Sequence, residues 1–331
     1  MPRPPRILVP HTVVMLTSRI QQGIPFVHTP LMEMIIWSAL SLAQTLYPVK
    51  VIAFVVMGNH VHLIALVEDP TMVESFMERF KSETAHAINR LLGRRQVSVW
   101  CAGYDSPAIL TIEDLIEKVA YVYANPVSAN LSVSVDDYRG VSSWTMFKSE
   151  NTTKETKRVR RNVLAKLPAN SLSDEQNGQE VLSVSTRSSE ILQFTLYPGA
   201  WSVTFPDKLT ESEFNKRVIN RIQEIENEMR ENRIREGMEI PATTRRDTQI
   251  INTTYLPKTF RRRMWCICQD LPLKMRFIQL VKKLRAEGRT VWLKWMKGDF
   301  SVPFPAGLFP PNHPILANLT PAFFKRAILM G

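Results

Sequence analysis

Along the first 130 residues the apolar positions alternate between two periods, one suited to strands and one to helices. "HTVVMLTSRI" (His11–Ile20) is β-branched and follows upstream prolines, which predicts a strand. "LMEMIIWSALSLAQTL" (Leu31–Leu46) predicts a long helix with an apolar face. "VKVIAFVVM" and "HVHLIALVE" read as two strands joined by the turn-forming pair Gly58 and Asn59, hence a hairpin. Thr71–Gly93 has helical spacing and ends at a glycine suited to a helix C-terminus. After a short strand-like "VSVWCAGY", Thr111 and Asp114 stand at capping distance for a helix running toward Asn125 and Pro126. The order β-α-β-β-α-β-α predicts an α+β fold, a ferredoxin-like antiparallel sheet with helices on one face and the other face partly free.

Past residue 148 the pattern changes. Residues 149–185 combine basic, small polar, proline and glycine residues with few apolar anchors, which predicts a linker. Thr210–Gly237 reads as a highly charged helix with an apolar stripe through Phe214, Val218, Ile222 and Ile225. A basic amphipathic stretch follows at Leu273–Leu284, preceded by "FRRRMWCICQ", and Val302–Pro314 is too rich in proline for a long helix or a central strand. The expected organisation is a folded unit over 1–148, a polar linker over 149–185, and a mainly helical, basic, proline-containing extension over 186–331.

Composition narrows the function classes. A chain of 331 residues with 44% apolar content can build cores, so it is not wholly disordered. Its apolar runs are too short to span a bilayer and Met1–Pro10 lacks signal-peptide character, which leads to the expectation of a cytoplasmic protein with no membrane partner. Cys101, Cys266 and Cys268 form neither a disulfide framework nor a four-ligand zinc pattern. The net charge of +11 favours a polyanionic partner. Residues 1–150 hold 12 Lys and Arg against 13 Asp and Glu, whereas 151–331 hold 30 against 18, so the excess lies in the second half.

Candidate chemistry lies in the first half. His60 and His62 alternate on a strand, so both rings emerge on one face. Tyr121 and Asn125 are four apart on a helix and share a face, whereas Tyr123 points elsewhere. Two imidazoles and one amide oxygen fill part of the shell of a divalent ion, leaving positions for phosphate oxygens and water. A phenol is a better leaving group than a deoxyribose hydroxyl, so a phosphotyrosine link retains the bond energy for later rejoining. No nucleotide-binding phosphate loop occurs, in keeping with strand exchange that needs no ATP.

Residues 6–146 resemble the single-tyrosine HUH transposases (His, hydrophobic, His), particularly the REP-associated tyrosine transposases. The resemblance rests on "VVMGNHVHLI", "FMERFKSETAHAINRLLGRR", "VWCAGYDSPAIL", "YVYANPVSANL" and "YRGVSSW" in that order. It implies that Tyr121 is the nucleophile, that His60, His62 and Asn125 hold a divalent metal ion (Mg or Mn), and that the substrate is single-stranded or hairpin DNA. Cleavage would give a 5′-phosphotyrosine and a free 3′-hydroxyl. The alternative is a non-catalytic or domesticated regulator that binds hairpin DNA or RNA. Further nucleic-acid contacts are expected among Arg19, Arg79, Lys81, Arg94, Arg95, Arg261, Arg262 and Arg263. Either a monomer or a homodimer is compatible with the sequence. A chain ending near Ser149 is expected to keep the tyrosine chemistry, since every candidate catalytic residue precedes that point.

Overall fold

The computed structural model describes residues 7–21, 30–95, 97–164, 190–206, 208–238 and 264–309. Strands β1 (Thr12–Arg19), β2 (Lys50–Val56), β3 (His60–Val67), β4 (Ala108–Ile109) and β7 (Cys266–Ile267) form a sheet in the order β2-β3-β1-β4-β7. Pairing is antiparallel except between β4 and β7, which run parallel. The fold is α+β with a mixed sheet, and the parallel edge strand comes from the segment expected to form a separate extension.

Cross-strand partners share a face. Phe54 opposes Leu63, whereas Val55 opposes His62 and Thr17 opposes His62 from the other side. On the Phe54 face lies α1 (Pro30–Leu46), whose Trp37 meets the Phe54 ring edge-on at 5.4 Å. Helix α2 (Pro70–Leu91) packs on α1. The His62 face is covered by α3 (Ile112–Ser128), which corrects the expectation of helices on one face only. The cause is the breadth of the apolar surface on α3. Leu115, Ile116, Val119, Val122, Tyr123 and Val127 are all buried, and that spread needs cover on two sides.

Local chemistry sets the ends of α3. Thr111 caps it by accepting from the Asp114 N–H at 3.0 Å. The helix then continues through Pro126 to Ser128 rather than stopping at Asn125. A proline in the last turn forfeits one backbone bond, which the packing around it outweighs. The strand expected at "VSVWCAGY" is irregular. Isolated bridges join its Trp100 to Ile20, just past β1, and the following Asp105 to Thr17, with Gly103 at φ 71° between them. Regular pairing resumes at β4.

After a short helix α4 (Trp144–Lys148), strand β5 (Thr153–Lys157) falls inside the segment read as linker. Its sequence TKETK has almost no apolar residues, so hydrophobic alternation could not reveal it. Helix α5 (Arg161–Leu164) follows, and residues 165–185 of the expected linker, with the first four of the extension, lie outside the described residues. β5 pairs with β6 (Ile191–Thr195), and both strands pack on α1. Gln44 of α1 closes the contact through both sides of its amide, accepting from the Thr195 N–H and donating to the Thr195 carbonyl, each at 2.8 Å.

Helix α6 (Glu211–Glu236) carries a capping box, Thr210 with Glu213, and ends at Gly237 in the left-handed region. It lies along α3. Phe214, Val218 and Ile222 of the expected stripe are buried, and Phe214 stacks on Trp201 with ring centroids 4.8 Å apart. The hydrophobic core runs without a break from β1 to Phe214 and Cys266, so residues beyond 185 are built into the first unit rather than tethered to it. Phe214→Ala would remove a fully buried ring from this contact. We expect a loss of about 3–5 kcal/mol, read from the urea midpoint of full-length protein. Helix α7 (Leu271–Met296) completes the described fold, and its Phe277 and Val281 line a small cavity with Val14 and Trp265. Among the described residues no helix is long and apolar enough to cross a membrane.

Candidate active site

The β2–β3 turn delivers His60 and His62 to the sheet face beneath α3. Their ring centroids are 4.6 Å apart, and the His62 ring lies 5.6 Å from that of Tyr121. His62 is 6% exposed and Asn125 7%, whereas Tyr121 is 37% exposed, so the tyrosine forms the open side of the cluster. Tyr121 and Asn125 share one stripe of α3, as their spacing requires.

Each imidazole is oriented by a neighbour. His62 Nδ1 bonds to Thr17 Oγ1 at 2.8 Å, and His60 Nδ1 bonds to Asn59 Oδ1 at 2.6 Å. Asn59 thus does more than shape the turn: its acceptor oxygen fixes the proton on His60 Nδ1 and leaves Nε2 as a lone-pair donor. Burial pulls the His60 pKa down to about 4, with a contribution from Arg19. Burial also pulls His62 to about 3, helped by the charges of His60, Arg19 and Lys118. Both rings are therefore neutral at physiological pH, the state a metal ligand needs.

Two neutral imidazoles whose Nε2 atoms have no partner among the described residues, with the Asn125 carboxamide on the Tyr121 stripe of α3, suit a divalent ion with open coordination sites. Among the described residues no cluster of three or more His, Cys, Asp or Glu gathers, so an amide would have to serve as a protein ligand here. Thr17 and Asn59 escaped the sequence reading because their roles depend on cross-strand register and turn geometry. Lys118 escaped it too, although it stands three residues before Tyr121 and seven before Asn125.

Tyr123 belongs to the core. Its hydroxyl shares a 3.0 Å hydrogen bond with Ser143 Oγ, its ring packs on Trp144 and Phe147, and burial raises its pKa well above the usual phenol range. Of the expected nucleic-acid contacts that lie among the described residues, only Arg19 adjoins the cluster, opposite His60 in the β1–β3 register. Arg79 pairs with Glu83, and Lys81 donates to the Cys101 and Gly103 carbonyls. These two lie on α2, across the sheet from the histidines, and Arg94 and Arg95 lie just beyond that helix. Arg261, Arg262 and Arg263 fall outside the described residues.

Residues 11–125 match the family model described as Transposase IS200 like. They form an IS200-like transposase domain. That match spans β1 to Asn125 and so takes in both histidines, Tyr121 and the helix that carries it. The solved structures include one similar to this chain, a REP-associated tyrosine transposase bound to a REP hairpin, at 21% identity and a TM-score of 0.40. The similarity covers 46% of this chain and 87% of that one. No curated protein matches the chain.

Proposed function

We propose that this protein is a metal-dependent DNA strand transferase that cleaves hairpin-bearing single strands through Tyr121. The observation that carries the reading is the contiguous His60–His62–Tyr121 cluster, in which Asn59 and Thr17 occupy both Nδ1 atoms and neither Nε2 has a partner among the described residues. His60, His62 and Asn125 would hold a Mg or Mn ion. When bound, such an ion would polarise the scissile phosphodiester and offset charge in the transition state.

The chain's own residues do the rest. Tyr121 Oη attacks phosphorus, a P–Oη bond forms, and the P–O3′ bond breaks. The phenol proton passes to water and the departing 3′-oxygen takes one up, leaving a 3′-hydroxyl and a 5′-phosphotyrosine. A 3′-hydroxyl attacking in the reverse sense restores the phosphodiester and returns the tyrosine. Asn59 keeps His60 in one tautomer, and Thr17 and Asn59 hold both rings in orientation through the cycle.

The test is incubation of a labelled hairpin-bearing single strand with the protein and Mn²⁺ or Mg²⁺, followed by denaturing electrophoresis. A covalent protein–DNA species that survives denaturation and disappears with EDTA is expected. Binding without any such species would favour the regulator instead. His62→Ala should lower the adduct yield at least tenfold while leaving hairpin binding in place, because loss of a ligand or of its orientation costs metal affinity on about that scale. A perfectly paired duplex should be cut more slowly than the hairpin substrate, since exposing the scissile strand costs about 1–2 kcal/mol per base-pair step. Equal rates on both would remove single-stranded DNA as the substrate class.

A further inference from the structure

Lys118, Tyr121 and Asn125 form one stripe of α3 at spacings of three and four residues. The Lys118 ammonium lies over the Tyr121 ring, 5.2 Å from its centroid, and the side chain is half-buried rather than free in solvent. The neighbouring acid, Glu117, turns the other way and pairs with Arg221 of α6 at 2.9 Å. Neither Lys118 nor Arg19 has an acidic partner among the described residues, in contrast to Lys50 with Glu68 or Arg79 with Glu83. The charges that reach His62 from outside the imidazole pair, Arg19 and Lys118, are all positive. Two cations beside two imidazoles, neither cation paired with a carboxylate among the described residues, favour an anion from outside.

We propose that Lys118 donates from its ammonium to a non-bridging oxygen of the phosphate that Tyr121 attacks, with Arg19 flanking the same phosphate from β1. This rests on the reading of Tyr121 as nucleophile and adds to it a residue that contacts the reacting group. A lysine offers three rotatable donors as a compact charge, suited to an oxygen whose charge grows as phosphorus becomes five-coordinate. The cation–π contact with Tyr121 holds that charge beside the attacking oxygen before DNA arrives.

Hairpin-bearing oligonucleotides carrying one neutral methylphosphonate, placed at each linkage in turn, would be titrated in EDTA against two proteins, Tyr121→Phe and Tyr121→Phe with Lys118→Gln. The first should lose about tenfold in affinity at one linkage, as for a charge-assisted hydrogen bond, and the second should show no penalty there. That linkage should be the one the wild type cleaves, identified by sequencing its products. In an otherwise wild-type background Lys118→Gln should slow adduct formation at least tenfold, and Lys118→Arg should recover part of the rate. An identical methylphosphonate profile in both proteins would overturn the proposal. So would even weakening at all linkages, the behaviour of a solvated surface cation, or a penalty away from the cleaved linkage. Failure of the wild type to form any adduct would instead sink the nucleophile reading and take this inference with it. Normal adduct formation with an unchanged profile would sink the Lys118 contact alone.

Discussion

Tyr121→Phe should abolish the covalent protein–DNA adduct outright while leaving the fold and hairpin affinity at wild-type levels. The substitution deletes one oxygen on the open side of the cluster and keeps the ring that contacts His62 and Lys118. No buried hydrogen bond is broken, so the melting temperature should hardly move. Tyr123→Phe provides the opposite pattern. Its hydroxyl is buried against Ser143, and losing that bond should cost about 1 kcal/mol of stability with no effect on the adduct. Cleavage by the Tyr121→Phe protein at an undiminished rate would place the nucleophile elsewhere.

The second large effect concerns the segment beyond residue 149. From the sequence, a chain ending near Ser149 keeps every catalytic residue and should keep the chemistry. The structure reverses that expectation, because α6 forms the outer wall of the helix that carries Tyr121. Removing it would strip cover from the apolar back of α3 and would also delete β7 from the sheet edge. It would remove Arg233 as well, which is 7% exposed and donates to Ser132 O at 2.8 Å, Asn130 Oδ1 at 2.9 Å, Val133 O at 3.3 Å and Val127 O at 3.4 Å. These oxygens lie at and just past the C-terminal end of α3, where a guanidinium also meets the negative end of the helix dipole. We expect the truncated chain to lose cooperative unfolding in urea and to form no adduct on a short hairpin oligonucleotide at low salt. A truncated protein that unfolds cooperatively and forms adduct at the full-length rate would show that α6 is dispensable for positioning Tyr121.

The basic charge of the second half also reads differently in three dimensions. Part of it is internal, with Arg233 turned onto backbone oxygens and Arg221 paired with Glu117, Glu224 and Glu228. Another part lies on α7, where Phe277 and Val281 pack near Val14, whose side chain points away from the histidine face. A cation count along the chain cannot separate these roles. The number of charges is fixed by composition, whereas their availability to DNA depends on what each one already touches.

The sequence by itself determined the elements that short-range physics controls. Turn chemistry at Gly58 and Asn59, the cap at Thr111, and the alternation of His60 and His62 all depend on residues a few positions apart, and the structure follows each of them. The Tyr121–Asn125 stripe was legible for the same reason, since helical periodicity alone puts both on one side of α3. Tertiary structure decided what depends on distant partners. The polar strand β5 exists because β6 supplies its hydrogen bonds and α1 its packing surface, neither of which leaves a mark on TKETK. The helix α3 covers the second sheet face because its apolar surface is broad enough to need both the sheet and α6. Cross-strand register likewise chose Thr17 as the partner of His62, because proximity across strands is a property of the folded chain; Asn59 beside His60 and Lys118 one turn before Tyr121 are near by spacing, and the structure decided only where their side chains turn.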